Sequence, residues 1–346
     1  MLNTPAINTS LCPEHLGGEC SRCLAACPTG AISLHGRPAI APDQCRNCGA
    51  CASVCPTGAL AHQTSGILYR RLAESTAHGA PVLRCPKAGQ CGRNEFPVPG
   101  CLSSLGLEML LALWLHSRKT VSFITGNCSA CRLGDGGKRF ADVLEQAKTV
   151  LAQSSDAPEK PFTTSIWSKD SASSRRENDI SLSRRGFLGL LKKSDMPRPA
   201  KTSSRGGHTV RKQILLAEHL KTLKAAGAVP KGMISMTFRG QGTCTACGAC
   251  ANVCSTGALK WKGEKVRTLE FTPALCVACG ACGKVCLPHF LAPSPSGLES
   301  FTASPSTLFH GSLATCKRCR VRTAVLNDNG YCPVCARKTQ MTPPPA

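Results

Sequence analysis

Apolar and polar positions follow two different rhythms along this chain. Between residues 81 and 153 they read as an ordinary folded domain. Residues 81–84 and 95–98 are short strand candidates, and residues 102–116 form an apolar-rich helix. Residues 120–125 (TVSFIT) are a β-branched strand, and residues 138–153 an amphipathic helix. Strand, strand, helix, strand, helix predicts a small α/β domain, three-layered or half-Rossmann, with parallel strands. No Gly-x-Gly-x-x-Gly opens a helix there, so a dinucleotide site has no support. On either side the apolar runs are only a few residues long and are broken by cysteines.

Those flanking segments repeat. Cys12, Cys20, Cys23, Cys27 and Cys45, Cys48, Cys51, Cys55 fill the first, while Cys244, Cys247, Cys250, Cys254 and Cys276, Cys279, Cys282, Cys286 fill the second. The words CPTGAI from Cys27, CPTGAL from Cys55 and CSTGAL from Cys254 mark duplication within and between the segments. Each half reads as a tight loop, a turn of helix and a brief strand such as residues 258–261. The expected organisation is a first unit over 1–66, the α/β domain over 67–154 and a flexible basic, Ser-rich linker over 155–210. A second unit covers 211–300, led by a helix whose apolar face is Ile214, Leu215, Leu220 and Leu223, and a small tail domain covers 312–340.

Composition sharpens this picture. The chain has 346 residues, 25 of them cysteine, and only 4% aromatic, so large apolar side chains are scarce and another source of cohesion is needed. No apolar run reaches the ~20 residues of a membrane-spanning helix. The first residues lack a basic start followed by an apolar core, so the expectation is a cytoplasmic, reducing setting in which disulfides are rare. The odd cysteine count also fits a disulfide framework poorly. The thiols therefore read as metal ligands.

Residues 45–56 (CRNCGACASVCP) match Cys-x2-Cys-x2-Cys-x3-Cys-Pro in full. Three thiolates in a tight loop converge on one iron–sulfur cube, while the fourth turns to the neighbouring cube. On these residues the segments 12–60 and 244–288 resemble bacterial-type 2[4Fe–4S] ferredoxins. The resemblance implies an α+β fold with two ferredoxin-like dicluster units flanking the small α/β domain, and four [4Fe–4S] clusters. It would pair Cys45, Cys48 and Cys51 with Cys27, and Cys12, Cys20 and Cys23 with Cys55. In the second unit it would pair Cys244, Cys247 and Cys250 with Cys286, and Cys276, Cys279 and Cys282 with Cys254. Three departures stand out. Gly17 occupies a position where the family has cysteine, so Cys12 must reach in through a five-residue insertion; failing that, the site takes a three-iron cluster or an exchangeable ligand. Ser255 replaces the proline after Cys254, and the proline after Cys286 is displaced to Pro288.

The α/β domain carries five more cysteines. Cys85, Cys101, Cys128 and Cys131 follow predicted strands, at the sheet edge where ligands gather in parallel folds, and Cys91 lies between the first two. PVLRC, VPGC and ITGNCSAC resemble the delta subunit of methyl-viologen-reducing hydrogenase, which implies a [2Fe–2S] cluster on four of the five. A zinc site or a Cys128–Cys131 redox dithiol are the other readings of these residues. In the tail, Cys316-x2-Cys319 and Cys332-x2-Cys335 read as a C-terminal zinc ribbon, with a rubredoxin-like iron as the alternative. Ser183-Arg184-Arg185-Gly186-Phe187-Leu188 looks like a twin-arginine export motif but is followed by too short an apolar run, and reads as a docking helix or a chance match. His289 reads as a bystander near the last cluster.

The formal charge is +22. Four oxidised cubes and one zinc, each a net −2 with its thiolates, lower it to about +12. A basic surface favours acidic redox partner proteins or oxidoreductase subunits. The leading expectation is an electron-transfer protein, a polyferredoxin-like subunit or partner of an anaerobic oxidoreductase complex. No Ser/His/Asp triad, paired carboxylates or phosphate loop points to catalysis on this chain. Two other readings compete: a thiol/disulfide oxidoreductase centred on the α/β domain, and a redox-sensing nucleic-acid regulator using Lys317, Arg318, Arg320 and Arg322. The last lacks a recognition helix or a stacking platform.

Overall fold

The structure, a computed structural model, describes residues 4–34, 37–61, 81–89, 95–98, 100–133, 136–156, 159–167 and 210–340. Cys91, the twin-arginine-like stretch and most of the expected linker lie outside these residues.

The first unit has little regular structure. Helices α1 (Arg22–Ala26) and α2 (Ala50–Val54) pack together between two-residue ladders, Ala6–Ile7 against Leu60–Ala61 and Ile32–Ser33 against Ala39–Ile40. Its small core of Leu11, Ile32, Ala59 and Leu60 includes Cys12, Cys51 and Cys55 themselves.

The middle domain holds the main core. Strands β1 (Val82–Arg84), β2 (Glu95–Pro97), β3 (Val121–Thr125) and β4 (Phe162–Ile166) form a four-stranded parallel sheet in the order β2-β1-β3-β4. Helix α3 (Leu107–Ser117) is buried over most of its surface, and Arg118, at φ 50°, ends it with an N–H to the Trp114 carbonyl at 2.7 Å. Helix α4 (Gly136–Ala152) buries Phe140, Leu144, Ala147 and Leu151, a three-to-four-residue spacing, and Phe140 meets Phe123 of β3 edge-on at 5.0 Å.

Two expectations about boundaries are corrected. Strand β4 falls inside residues 155–210, which read as linker. Of its side chains only Phe162 is buried, so no alternation betrays it. Parallel pairing to β3 and a hydrogen bond from Trp167 N–H to the Thr125 carbonyl (2.8 Å) hold it in place. Helix α5 (Val210–Thr222), assigned above to the second unit, packs on α3 as well as on the 3-10 turn Pro273–Leu275 of that unit. Its buried face is Leu216, Ala217 and Leu220 with Leu223, while Ile214 is exposed. These residues, with Leu298 and Phe301, complete the middle domain's core. Burial of that shared apolar surface draws the helix across.

In the second unit, β5 (Met236–Gly240) pairs antiparallel with β8 (Leu291–Pro295), and β6 (Leu259–Lys262), β7 (Val266–Phe271) and β9 (Ser306–Ser312) form an antiparallel sheet. Helices α6 (Ala249–Val253) and α7 (Ala281–Lys284) carry cysteines, and α8 (Leu298–Phe301) follows β8. The tail has a small ladder, Ala314–Thr315 with Arg322–Thr323, and helix α9 (Pro333–Gln340). The whole is a mixed α/β arrangement with a cysteine-rich unit at each end. No helix among the described residues is long and apolar enough to cross a membrane.

Candidate metal centres

The loop geometry explains the cysteine spacing. In three loops the residue before the middle cysteine and the glycine after it are both left-handed: Asn47 and Gly49 (φ 56° and 82°), Ala246 and Gly248 (55° and 87°), Ala278 and Gly280 (73° for the glycine, 52° for the alanine). Such turns curl the backbone so that successive N–H groups face a concave, anion-favouring space. The fourth loop is built differently. Cys12 follows a 3-10 turn (Thr9–Leu11) capped by the Asn8 side chain, which accepts from Ser10 N–H at 3.2 Å.

Folding gathers the cysteines into sets of four. One cavity is lined by Cys12, Cys20, Cys23 and Cys55, a second by Cys27, Cys45, Cys48 and Cys51, and a third by Cys254, Cys276, Cys279 and Cys282. Cys244, Cys247, Cys250 and Cys286 form the fourth set, in which the thiolates oppose one another's ionisation. Each set thus exchanges one cysteine with its neighbour. Burial, aided by adjacent thiolates, pushes Cys23 and Cys282 up to about 11, and Cys51, Cys250 and Cys276 up to about 12. Buried thiols that repel one another as thiolates suit a cationic iron–sulfur core that deprotonates all four.

The repeated CPTGA and CSTGA words acquire a meaning here. Two residues after the cysteine, a threonine hydroxyl approaches its sulfur: Thr29 Oγ1 to Cys27 Sγ at 3.7 Å, Thr57 to Cys55 at 3.7 Å, and Thr256 to Cys254 at 3.5 Å. Thr57 is completely buried. Its Oγ1 also accepts the Ala59 N–H at 3.3 Å, as that of Thr256 accepts the Ala258 N–H at 3.4 Å. At Cys27 burial raises the thiol, but donors from Thr29, Ala31 and Gly30 outweigh it and bring the pKa below the ordinary value. These threonines were missed as functional candidates, although their recurrence after three cysteines was visible. Cys286 is followed by Leu287 and Pro288 and has no such hydroxyl.

In the middle domain Cys85, Cys101, Cys128 and Cys131 come together beyond the C-terminal ends of the parallel strands. Burial raises Cys128, and Cys101, Cys85 and Cys131 add to the rise in that order. Glycines at the start of α4 make room. A Cβ on Gly136 would stand 3.2 Å from Cys101 Sγ, and one on Gly137 would stand 2.7 Å from Cys128 Sγ. The positive end of this 17-residue helix thereby faces two of the four thiols. His289 is exposed and donates its backbone N–H to the Cys286 carbonyl at 2.8 Å.

In the tail the sulfurs of Cys316, Cys319, Cys332 and Cys335 all lie within 4.8 Å of one another, with Cys319 and Cys332 at 3.7 Å. Four thiolates around a tetrahedral zinc stand about 3.8 Å apart. Backbone N–H groups, first that of Cys319 and then that of Cys332, pull the Cys316 thiol down to about 6. The Cys332 N–H reaches its sulfur at 3.2 Å.

The sets also touch one another. Gly100 lies so close to the 45–48 loop that a Cβ would stand 2.8 Å from the Asn47 carbonyl oxygen, and the Cys101 thiolate contributes to raising Cys48. Glu19 donates its N–H to the Cys279 carbonyl at 2.7 Å, joining the two cysteine-rich units directly. At the far end the Thr245 carbonyl accepts from Thr323 Oγ1 at 3.0 Å and from Ala324 N–H at 3.1 Å, joining the tail to the Cys244 loop.

Against this geometry, residues 18–59 and 243–289 both match the family model described as a 4Fe-4S dicluster domain. Both regions therefore carry iron–sulfur, electron-transfer character. A search of curated proteins found no match to the chain.

Proposed function

We propose that this chain is a multicentre electron-transfer subunit in which the cysteine sets form one continuous path. The order runs from Cys85, Cys101, Cys128 and Cys131 to Cys27, Cys45, Cys48 and Cys51, and then to Cys12, Cys20, Cys23 and Cys55. It crosses to Cys254, Cys276, Cys279 and Cys282 and ends at Cys244, Cys247, Cys250 and Cys286. The single observation that supports this reading is the Glu19–Cys279 hydrogen bond at 2.7 Å, which brings loops of the two dicluster units into direct contact. The four central sets would hold [4Fe–4S] clusters, each a one-electron carrier when bound. The middle-domain set would hold a [2Fe–2S] cluster, its charge favoured by the start of α4, and the tail would hold zinc.

The protein's own contribution is placement and tuning. The left-handed loops direct backbone N–H groups inward, the threonines stabilise added negative charge on their sulfurs, and burial limits water access. The set containing Cys286, which lacks the threonine, is expected to have the lower potential of the last pair. The exposed Arg318, Arg320 and Arg322 beside that end suit an acidic redox partner, on which substrate chemistry would take place.

The test is iron, acid-labile sulfide and zinc per chain on anaerobically purified protein. About eighteen irons, as many sulfides and about one zinc support the reading. Little iron with several zincs after anaerobic reconstitution overturns it.

A further inference from the structure

Two helices of the middle domain each send a cation into the first cysteine-rich unit, and the two end at matching places. The Arg139 guanidinium, from α4, donates to the Ala25 carbonyl, in the last turn of α1 and two residues before Cys27. The Lys212 ammonium, from α5, donates to the Ser53 carbonyl, in the last turn of α2 and two residues before Cys55. It also lies 3.3 Å from the Ala52 carbonyl. Cys27 and Cys55 are the cysteines that the two halves of this unit exchange, so each cation stands at the same point of its repeat. Countercharges are few. Buried Glu108, 3.2 Å from Lys212, shares that charge, and Asp142, beside Arg139, is exposed and forms no ion pair with it. Within the unit itself Arg22 lines the cavity of the Cys12 set, where the Glu14 carboxylate, accepting the Cys20 N–H at 3.0 Å, opposes it.

The second unit repeats the motif without this arrangement. The carbonyls of Asn252 and Lys284, two residues before Cys254 and Cys286, receive no lysine or arginine side chain among the described residues. Its cations are engaged elsewhere: Arg267 donates to the Ala246 carbonyl at 3.2 Å, ahead of α6, and Lys284 pairs with Glu19 at 3.0 Å. A neutral donor or water suffices to satisfy a helix-end carbonyl, whereas a partly buried full charge costs desolvation. The charge itself has a use beside a redox centre, because a reduced cluster carries one more negative charge than an oxidised one. We propose that Arg139 and Lys212 tune the first unit, their charges raising the potentials of its two clusters. This deepens the electron-path reading and rests on it: the middle domain sets how readily its neighbour is reduced.

The test is an anaerobic redox titration of the full chain followed by electron paramagnetic resonance. Four [4Fe–4S] reduction steps in two magnetically interacting pairs, with iron content to match, test the path itself; their absence from the unaltered chain sinks the path and this proposal together. Where they are present, Lys212→Gln and Arg139→Gln displace steps of the same pair to lower potential and leave the other pair in place. The displacement is at least about threefold in the ratio of oxidised to reduced cluster at a fixed potential. Lys212→Arg and Arg139→Lys, which keep the charge, keep the wild-type potentials. Glu108→Gln, which removes the countercharge of Lys212, displaces that pair upward. Lys148→Gln takes the same charge from the Lys148–Glu145 pair further along α4 and moves neither. Unmoved steps in both glutamine variants overturn the proposal, as does an upward displacement, an equal one of all four steps, or one that the charge-keeping variants share. Where a glutamine variant loses iron, Glu108→Gln decides, and an unmoved or lowered pair there overturns the proposal.

Discussion

Gly18 is where the path between the two cysteine-rich units is most exposed to perturbation. An alanine Cβ there would stand 2.9 Å from Cys279 Cβ, 3.0 Å from the Cys279 carbonyl oxygen and 3.0 Å from the Pro13 carbonyl oxygen. Carbon atoms in comfortable contact sit about 3.5–4.0 Å apart, so the two loops must separate by about 0.6 Å or more. Neither neighbour is a flexible side-chain tip. Pro13 O already accepts Gly18 N–H at 2.8 Å, and Cys279 O accepts Glu19 N–H at 2.7 Å. The nearby Lys284–Glu19 pair, at 3.0 Å between exposed groups, adds too little to hold the joint closed. Overpacking of this kind costs about 1–3 kcal/mol. Gly18→Ala is therefore expected to retain its iron but to slow electron transfer between the units, since tunnelling rates fall steeply with separation. The assay is rapid-freeze electron paramagnetic resonance after substoichiometric reduction, following the spin signals as they redistribute. Gly17→Ala is the control: it strains a backbone at φ 82° but meets nothing within 4 Å. Equal redistribution rates in wild type and Gly18→Ala would refute the reasoning, as would an equal slowing in Gly17→Ala.

Other outcomes follow from the same geometry. Thr57→Val removes a hydroxyl 3.7 Å from Cys55 Sγ and should lower the potential of the adjacent cluster. One hydrogen bond at about 0.5–1.5 kcal/mol corresponds to about 20–60 mV for one electron, read by redox titration, and a potential unchanged or raised counts against the role given to the threonines. Gly137→Ala places a Cβ 2.7 Å from Cys128 Sγ while raising helix propensity. It should cost the middle-domain metal alone, seen as a loss of about two irons with the fold intact. A chelator that strips the tail metal should raise hydrogen exchange over residues 314–335 and leave iron unchanged; protection that persists in the metal-free tail would show that its fold does not depend on the ion.

Much of this arrangement was legible in the sequence, and the reasons differ by element. Cysteine spacing fixes a loop's chemistry locally, so the sets could be read without long-range information. The strand at residues 121–125 was equally plain, because the buried Val121, Phe123 and Ile124 mark it, and the apolar Val82 and Leu83 mark that at 82–84. Strand β4 was hidden because an edge strand with one buried residue has no alternation to detect. Helix α5 was recognised, but its partner was not, since an apolar stripe does not say which core it will enter. Its face was also misplaced, with Ile214 expected in the core and Ala217 overlooked. Cys12 shows the limit of motif matching: the loop departs from the spacing, yet the fold places it on the same cavity as Cys20, Cys23 and Cys55. The contact between Gly18 and Cys279 joins positions far apart in the chain, and nothing in either loop announces the other.

The core of the middle domain has a further consequence, for synthesis. Leu83 and Phe123 share it with Leu220, Leu298 and Phe301, so the domain that emerges early from the ribosome lacks part of its wall until the chain is nearly complete. Contacts of such sequence separation form slowly, and apolar surface stays exposed in the interval. The cysteines of the first unit, Cys12 to Cys55, are all made long before those of the second unit. Residues 298–301 can close that core only once they have been made. A fragment ending after β4 would lack the part of that wall made by Leu220, Leu298 and Phe301.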